Sequence, residues 1–220
     1  MKKIYGIGVG PGDSEYITLK GYRIIKNADI VFLPSNKGKS IAGEIAKDFI
    51  KDKKTVYIEF PMGKDNNKRY REAANIIDKH LEDKGEGVFL TLGDPMVYST
   101  FSYIMKELEK IGINVESIPG ISSFNAAANR IRIPLTLKGQ KFYLTDGDID
   151  EDILKHSDTV CILKTSKNKK KILDMLERYG FAYTYIKRCG FLNERIMNNA
   201  DDILKDDDYM SLILGRRKND

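Results

Sequence analysis

Three short turns carry the residues whose types and spacing could do chemistry in this chain of 220 residues. They are Gly6-Ile7-Gly8-Val9-Gly10-Pro11-Gly12-Asp13, Leu92-Gly93-Asp94-Pro95-Met96-Val97-Tyr98 and Ile118-Pro119-Gly120-Ile121-Ser122-Ser123. Each closes an apolar run of strand character. Glycine lets backbone amides come close to a ligand. Asp94 can accept hydrogen bonds or favour a positive centre, and the Ser122-Ser123 pair stands at a helix start whose amides are free. This chemistry is ligand holding rather than nucleophilic attack. In an open parallel sheet, ligands bind in the crevice outside the carboxyl ends of the strands. Gly-Asp-Pro alone is ordinary turn composition; the combination of three such turns is specific where each part is not.

Other site chemistries are poorly supported. A dinucleotide fingerprint needs a third glycine where Pro11 stands, and no acid closes the second predicted strand. Gly38-Lys39-Ser40 looks like the end of a phosphate-binding loop, but Leu33 replaces the earlier glycine, and Ser40 is better read as the start of a helix. There is no Gly-x-Ser-x-Gly elbow, and two histidines give little support to hydrolysis. Cys161 and Cys189 stand far apart with no Cys-x-x-Cys spacing, which predicts buried or partly buried thiols rather than a disulfide framework or zinc site. His80 and His156 read as helix-surface residues, so no protein-bound metal is expected.

The elements that must position the turns follow from hydrophobic periodicity. Strands are predicted at Ile4 to Val9, Ile30 to Leu33, Thr55 to Ile58, Val88 to Leu92 and Val115 to Ile118. Helices fit between them. Leu19, Tyr22, Ile25 and Ala28 recur behind the capping Thr18, and Ile76, Ile77, His80 and Leu81 mark another face. After Pro119 come a small-residue helix (Phe124 to Asn129), strands at Phe142 to Leu144 and Thr159 to Leu163, a helix from about Lys169 to Tyr179, and a strand at Tyr183 to Lys187. Glu194 to Met197 and Tyr209 to Leu214, separated by a short helix at Ala200 to Lys205, suit antiparallel pairing. The expected fold is α/β, with two α/β domains, 1–118 and 119–220, an interdomain cleft, a mainly parallel first sheet and a mixed second sheet. Lys167 to Lys171 reads as a solvated helix start and the tail Arg216 to Asp220 as frayed.

Composition bounds the partners. Thirty-seven Lys and Arg against 32 Asp and Glu leave a net charge of +5, compatible with an anionic small molecule and too small to demand nucleic acid. No apolar run approaches the roughly 18 residues of a membrane span, and the amino terminus does not read as a signal peptide. A cytoplasmic protein is expected.

The Gly-Val-Gly-Pro-Gly-Asp opening with Thr18-Leu19-Lys20, the Gly-Asp-Pro-x-x-Tyr turn and Pro-Gly-Ile-Ser-Ser together resemble the tetrapyrrole (precorrin) methylases, essentially end to end. Phe60-Pro61-Met62, the string Leu92 to Phe101 and Arg188-Cys189-Gly190 are similar to the branch that methylates the C(20) meso carbon of precorrin-2 or its cobalt complex. The chain departs from the family at the acidic segment Tyr143 to Asp152, where relatives are more apolar, and at Lys164-Thr165-Ser166, where a methionine is common.

The resemblance implies an S-adenosylmethionine-dependent C-methyltransferase of cobalamin biosynthesis, with the cofactor held between two α/β domains, and a homodimer. It assigns Pro11, Gly93, Asp94, Val97, Ser122, Ser123, Lys164 and Gly190 to the cofactor. A tetrapyrrole's acetate and propionate arms want cationic donors; Arg130 and Arg132 are the candidates, with Arg71 and Lys138 behind them, and Tyr98 is a possible substrate contact. The catalytic base is unassigned. The alternatives are methylation at another corrin position, a methyltransferase of this fold acting on RNA or protein, and a non-enzymatic tetrapyrrole-binding module. The missing aromatic-basic stripe counts against RNA.

Overall fold

The protein's computed structural model describes residues 1–60 and 67–218. Pro61 and Met62 of the Phe60-Pro61-Met62 string, and Asn219 and Asp220 of the tail, lie outside the described residues. The chain divides into two compact units, Met1–Ser122 and Ser123–Asp220.

The first unit runs β1 (Lys3–Gly8), α1 (Leu19–Asn27), β2 (Ile30–Ser35), α2 (Ile41–Ile45), α3 (Lys47–Ile50), β3 (Lys54–Glu59), α4 (Asn67–His80), β4 (Glu86–Thr91), α5 (Phe101–Lys110) and β5 (Asn114–Ile118). Its sheet has the order β3-β2-β4-β1-β5, and every neighbouring pair is parallel. All five strands therefore end at one edge, and the turns leaving the adjacent strands β4, β1 and β5 emerge side by side.

The central strands are apolar without alternation, as a sheet covered on both faces requires. Val31, Phe32 and Leu33 in β2 and Val88, Phe89 and Leu90 in β4 have no exposed surface. Phe101, at the start of α5, packs its ring directly on Gly6 of β1, where a Cβ would lie 2.0 Å from the ring. Phe32, Phe89 and Phe101 share one core cluster with Ile77 and Ile104. Complete burial of each such ring contributes roughly 1.5–3 kcal/mol.

Side-chain caps start the helices where the sequence places them. Thr18 Oγ1 accepts the Gly21 amide at 3.1 Å, and Ser40 Oγ accepts the Gly43 amide at 3.2 Å, each satisfying a donor that the helix leaves open. The amides of Lys37 and Gly38, ahead of that cap, both donate to the Glu59 carboxylate, at 3.0 and 2.8 Å. An internal anion already fills the place a phosphate would take in the Gly38-Lys39-Ser40 loop.

The second unit runs α6 (Ser123–Ile131), β6 (Phe142–Asp146), α7 (Glu151–Lys155), β7 (Thr159–Leu163), α8 (Lys169–Arg178), β8 (Phe181–Lys187), β9 (Arg195–Met197), α9 (Ala200–Lys205) and β10 (Ser211–Arg217). The sheet order is β6-β7-β10-β8-β9. β6 and β7 are parallel, and the other three pairings are antiparallel. The mixed sheet arises because β10 returns between β7 and β8. Tyr185, Phe181, Ile162, Leu176 and Ile213 form its core with Ile203 of α9.

Two local expectations need correction. Arg216 and Arg217 are not frayed: both belong to β10. The Arg217 guanidinium donates to the carbonyls of Ser157, Tyr179, Leu154 and Lys155, and an arginine's forked donors suit such a set of acceptors. The Lys167 to Lys171 stretch is not uniformly solvated. Lys169 is buried and donates to the Ile203 carbonyl at 2.8 Å. The acidic segment before Asp152 ends in a helix, because Asp150 accepts the amides of Asp152 and Ile153 and starts α7.

Candidate functional site

Within the first unit the three turns meet. A Cβ on Gly8 would lie 2.4 Å from the Gly93 carbonyl oxygen and 2.7 Å from the Gly120 Cα, and a Cβ on Gly120 would lie 2.2 Å from that same oxygen. No side chain fits at Gly8 or Gly120, which is why glycines stand at the end of β1 and just after Pro119 in the turn that follows β5. Gly10 and Gly93 exchange backbone hydrogen bonds, the Gly93 amide donating at 2.8 Å and the Gly10 amide at 3.3 Å.

Asp94 fastens the arrangement. Its Oδ2 accepts the Gly120 amide at 3.0 Å and its Oδ1 the Met96 amide at 2.8 Å. Both oxygens thus hold the turns, so the residue read as a ligand contact is first the clasp that shapes the site. Hydrogen bonds to a charged acceptor are stronger than neutral ones.

The remaining sequence-predicted residues of this unit lie along the same edge. Pro11 is buried beside Gly10, Val97 is half-buried with its amide donating to the Asp94 carbonyl, and Ser122 is buried two residues past Gly120. Gly93 differs from its partners. It has φ +68°, and a Cβ built on it meets no protein atom within 4 Å, so its open side is available to a ligand. Tyr98 has φ +45° and its side chain is exposed. Ser99 behind it is buried; its Oγ accepts the Phe101 amide at 3.1 Å and pairs with Thr91 Oγ1 at 3.0 Å, fixing where the turn ends and α5 begins.

In the second unit, Lys164 and the chain leading to Gly190 flank the start of β10. The Lys164 amide donates to the Ser211 carbonyl at 3.0 Å, and on the other side of β10 Lys187 pairs with Ser211. Lys164 has φ +58° and its ammonium meets Asp146 at 3.1 Å. Gly190, with φ +83°, follows Arg188 at φ +50°. Ser123 opens α6. Arg132 follows that helix with φ +57° and borders an open groove of about 390 Å³ with Asn125, Asn129 and Pro134. Arg71 makes a loose 3.7 Å contact with Glu107, and Lys138 is exposed.

Glu194 is the residue that sequence reading missed. Its Oε1 meets Arg130 Nε at 2.8 Å and its Oε2 accepts the Gly190 amide at 2.7 Å, so one carboxylate joins a cation read as a substrate contact to a glycine read as a cofactor contact. No motif marks it; four residues after Gly190 it reads only as the start of a strand. Cys189 lies buried beside it. Burial, together with the Glu194 charge and its hydrogen bond, pushes the thiol up to about 12, and burial raises Cys161 strongly as well. Neither thiol is a nucleophile at neutral pH.

A second missed group braces the same turn. Lys187 Nζ meets Asp206 at 2.5 Å, Arg188 Nε meets Asp208 at 2.6 Å, and the Tyr185 hydroxyl donates to Asp206 at 2.9 Å. These partners are 19 to 21 positions apart along the chain, which hides them from any local pattern. Among the described residues, no cluster of three His, Cys, Asp or Glu stands ready to hold a metal ion.

Residues 3–203 match the family model of the tetrapyrrole (corrin/porphyrin) methylases. The chain is 38% identical to a probable cobalt-precorrin-2 C(20)-methyltransferase of Methanocaldococcus jannaschii, over 99% of this chain and 97% of the relative. It is 28% identical to the cobalt-precorrin-2 C(20)-methyltransferase of Salmonella typhimurium, over 81% of this chain and 79% of the relative. Among solved structures it is similar to uroporphyrin-III C-methyl transferase from Thermus thermophilus, complexed with S-adenyl homocysteine, with a TM-score of 0.75 at 23% identity over 97% of both chains.

Proposed function

The chain belongs to the tetrapyrrole (corrin/porphyrin) methylases, and from that premise we propose that it methylates the C(20) meso carbon of precorrin-2 or cobalt-precorrin-2 in cobalamin biosynthesis, with S-adenosylmethionine as donor. The observation that carries this reading is the 38% identity, nearly end to end, to a relative named for that reaction. The second unit, from Ser123 on, completes the cofactor site in this reading.

The residues present fit such a donor. Gly93 leaves an open side where a Cβ would stand, and the backbone around it is closely packed and clasped by Asp94. When bound, S-adenosylmethionine supplies a methyl group already activated on a sulfonium. The chain's task is then alignment and exclusion of water, and correct orientation of two reactants is worth on the order of 7–11 kcal/mol of barrier. Pro11, Gly93 and Val97 shape one wall, with Ser122 behind them. Ser123, Lys164 and Gly190 contribute from the second unit. These residues would hold the donor's methyl in line with C(20) and keep water from it, and the base that takes the C(20) proton is unassigned.

A cytoplasmic homodimer is part of the same proposal. The two buried, unpaired thiols are consistent with a reducing compartment, and the dimer rests on the family resemblance. The experiment is incubation with S-adenosylmethionine and metal-free or cobalt-loaded precorrin-2, with product mass and methyl position determined. A product methylated at another carbon, or methylation of RNA with precorrin-2 untouched, would refute the assignment.

A further inference from the structure

We propose that Lys37 and Lys39, on the turn after β2, bind the peripheral carboxylates of the tetrapyrrole, while the turn after β4 offers its macrocycle an apolar seat. This deepens the proposed function and rests on it for the identity of the ligand.

The two turns are neighbours. β2 and β4 are adjacent and parallel as far as Phe32 and Phe89, and from there β2 runs three residues to Ser35 and β4 two residues to Thr91 toward the same edge of the sheet. Asn36 to Lys39 forms a two-residue hairpin turn, in which the Asn36 amide donates to Lys39 at 3.0 Å and the Lys39 amide to Asn36 at 3.2 Å. Its central residues have φ +52° at Lys37 and +74° at Gly38.

A left-handed lysine is uncommon and persists only where its surroundings fix it. Here Glu59, at the end of β3, does so. Its carboxylate accepts the amides of Lys37 and Gly38 and the Ser35 hydroxyl, and those bonds, the Gly38 amide foremost, hold it below the usual carboxylate range. The acid is thus spent on backbone, and the lysine side chains point from a braced, exposed turn.

Across from them the turn after β4 exposes apolar surface. Leu92 is 37% exposed, Met96 49% and Tyr98 48%, although all three belong to a segment whose backbone is tightly held. Exposed apolar side chains next to paired cations match a ligand with flat apolar faces and an anionic rim. Arg130, the cation that sequence reading put first, is already paired with Glu194.

The test uses uroporphyrin III, which carries acetate and propionate arms on every ring, as a binding probe read by fluorescence. Its Kd is measured for the wild-type chain and for Lys37→Asn/Lys39→Gln, asparagine being chosen because it tolerates positive φ. Two exposed charge contacts predict a Kd raised about three- to tenfold, with a shallower dependence on salt and unchanged binding of S-adenosylhomocysteine. Equal Kd values for the two proteins, or no binding of the probe by the wild type, would overturn the inference. If binding depends on the lysines but precorrin-2 is not methylated, the proposed reaction falls and the docking surface stands.

Discussion

Asp94 and Gly120 are 26 positions apart in sequence, yet the Asp94 carboxylate accepts the Gly120 amide at 3.0 Å and so locks the turn after β4 to the turn after β5. The same side chain holds the Met96 amide. Replacing Asp94 with alanine frees two amides that the tight backbone cannot easily re-pair. The expected cost is about 2–3 kcal/mol of unfolding free energy, read from urea midpoints, with weaker binding of S-adenosylhomocysteine. Asp94→Asn, which keeps one acceptor oxygen, should fall between the two. Equal stability of the alanine variant and the wild type would remove the clasp from the account.

Gly8 and Gly93 answer differently to the same substitution. Alanine at Gly8 forces a Cβ to 2.4 Å from a backbone oxygen, and neither strand end can yield cheaply, so Gly8→Ala is expected to lower Tm sharply or prevent folding. Alanine at Gly93 meets no protein atom and costs only its left-handed φ, about 1–2 kcal/mol. Gly93→Ala should therefore fold and lose affinity for S-adenosylhomocysteine. Calorimetry giving normal affinity would show that the open side of Gly93 does not face the ligand.

Glu194 offers two acceptors to two donors, and glutamine offers one. Glu194→Gln should cost about 1–3 kcal/mol and, by withdrawing the charge that helps raise Cys189 to about 12, should bring that thiol's ionisation to lower pH. Thiolate absorbance during alkaline titration would register it, and an unmoved Cys189 would contradict the coupling. A substitution of Arg130 likewise disturbs the Gly190 turn through Glu194, so its kinetic effect does not isolate a substrate contact.

Acid should loosen the second unit first around the start of β10. Burial works against the charged forms of Asp206 and Asp208, but Lys187 and the Asp208 amide outweigh it at Asp206, and Arg188 and the Met210 amide at Asp208, leaving both carboxyls below the usual range. A carboxyl depressed in the folded state contributes stability above its unfolded value of about 3.9 and loses it as pH falls through that value toward the folded one. Urea midpoints should be level from neutral pH to about 5 and fall below it. Asp206→Asn/Asp208→Asn should be less stable at pH 7 and show a shallower acid limb. An unchanged limb would place the acid sensitivity elsewhere.

What the sequence by itself determined was local. Hydrophobic periodicity located the strands of both sheets, and Thr18 and Ser40 marked helix starts because a cap acts over three residues. The three glycine turns stood out because a backbone that must pass another closely, or take positive φ, has few residue types to use. From those turns the family was legible, and with it the kind of ligand.

Only the tertiary structure decided which distant partners complete the site. Glu194, Asp206 and Asp208 are ordinary acids in the sequence. The two aspartates take their roles from strand order, because β10 enters between β7 and β8 and carries the preceding loop to Lys187 and Arg188. Glu194 takes its role from α6, which brings Arg130 to it. Arg216 and Arg217 read as a polar tail until Arg217 met the carbonyls at the ends of α7 and α8. Asp94 read as a cofactor contact, and the fold adds a second role by setting its oxygens on the amides of Gly120 and Met96. A charge's partner is set by proximity in three dimensions, and proximity between segments depends on topology, which no single stretch of this chain encodes.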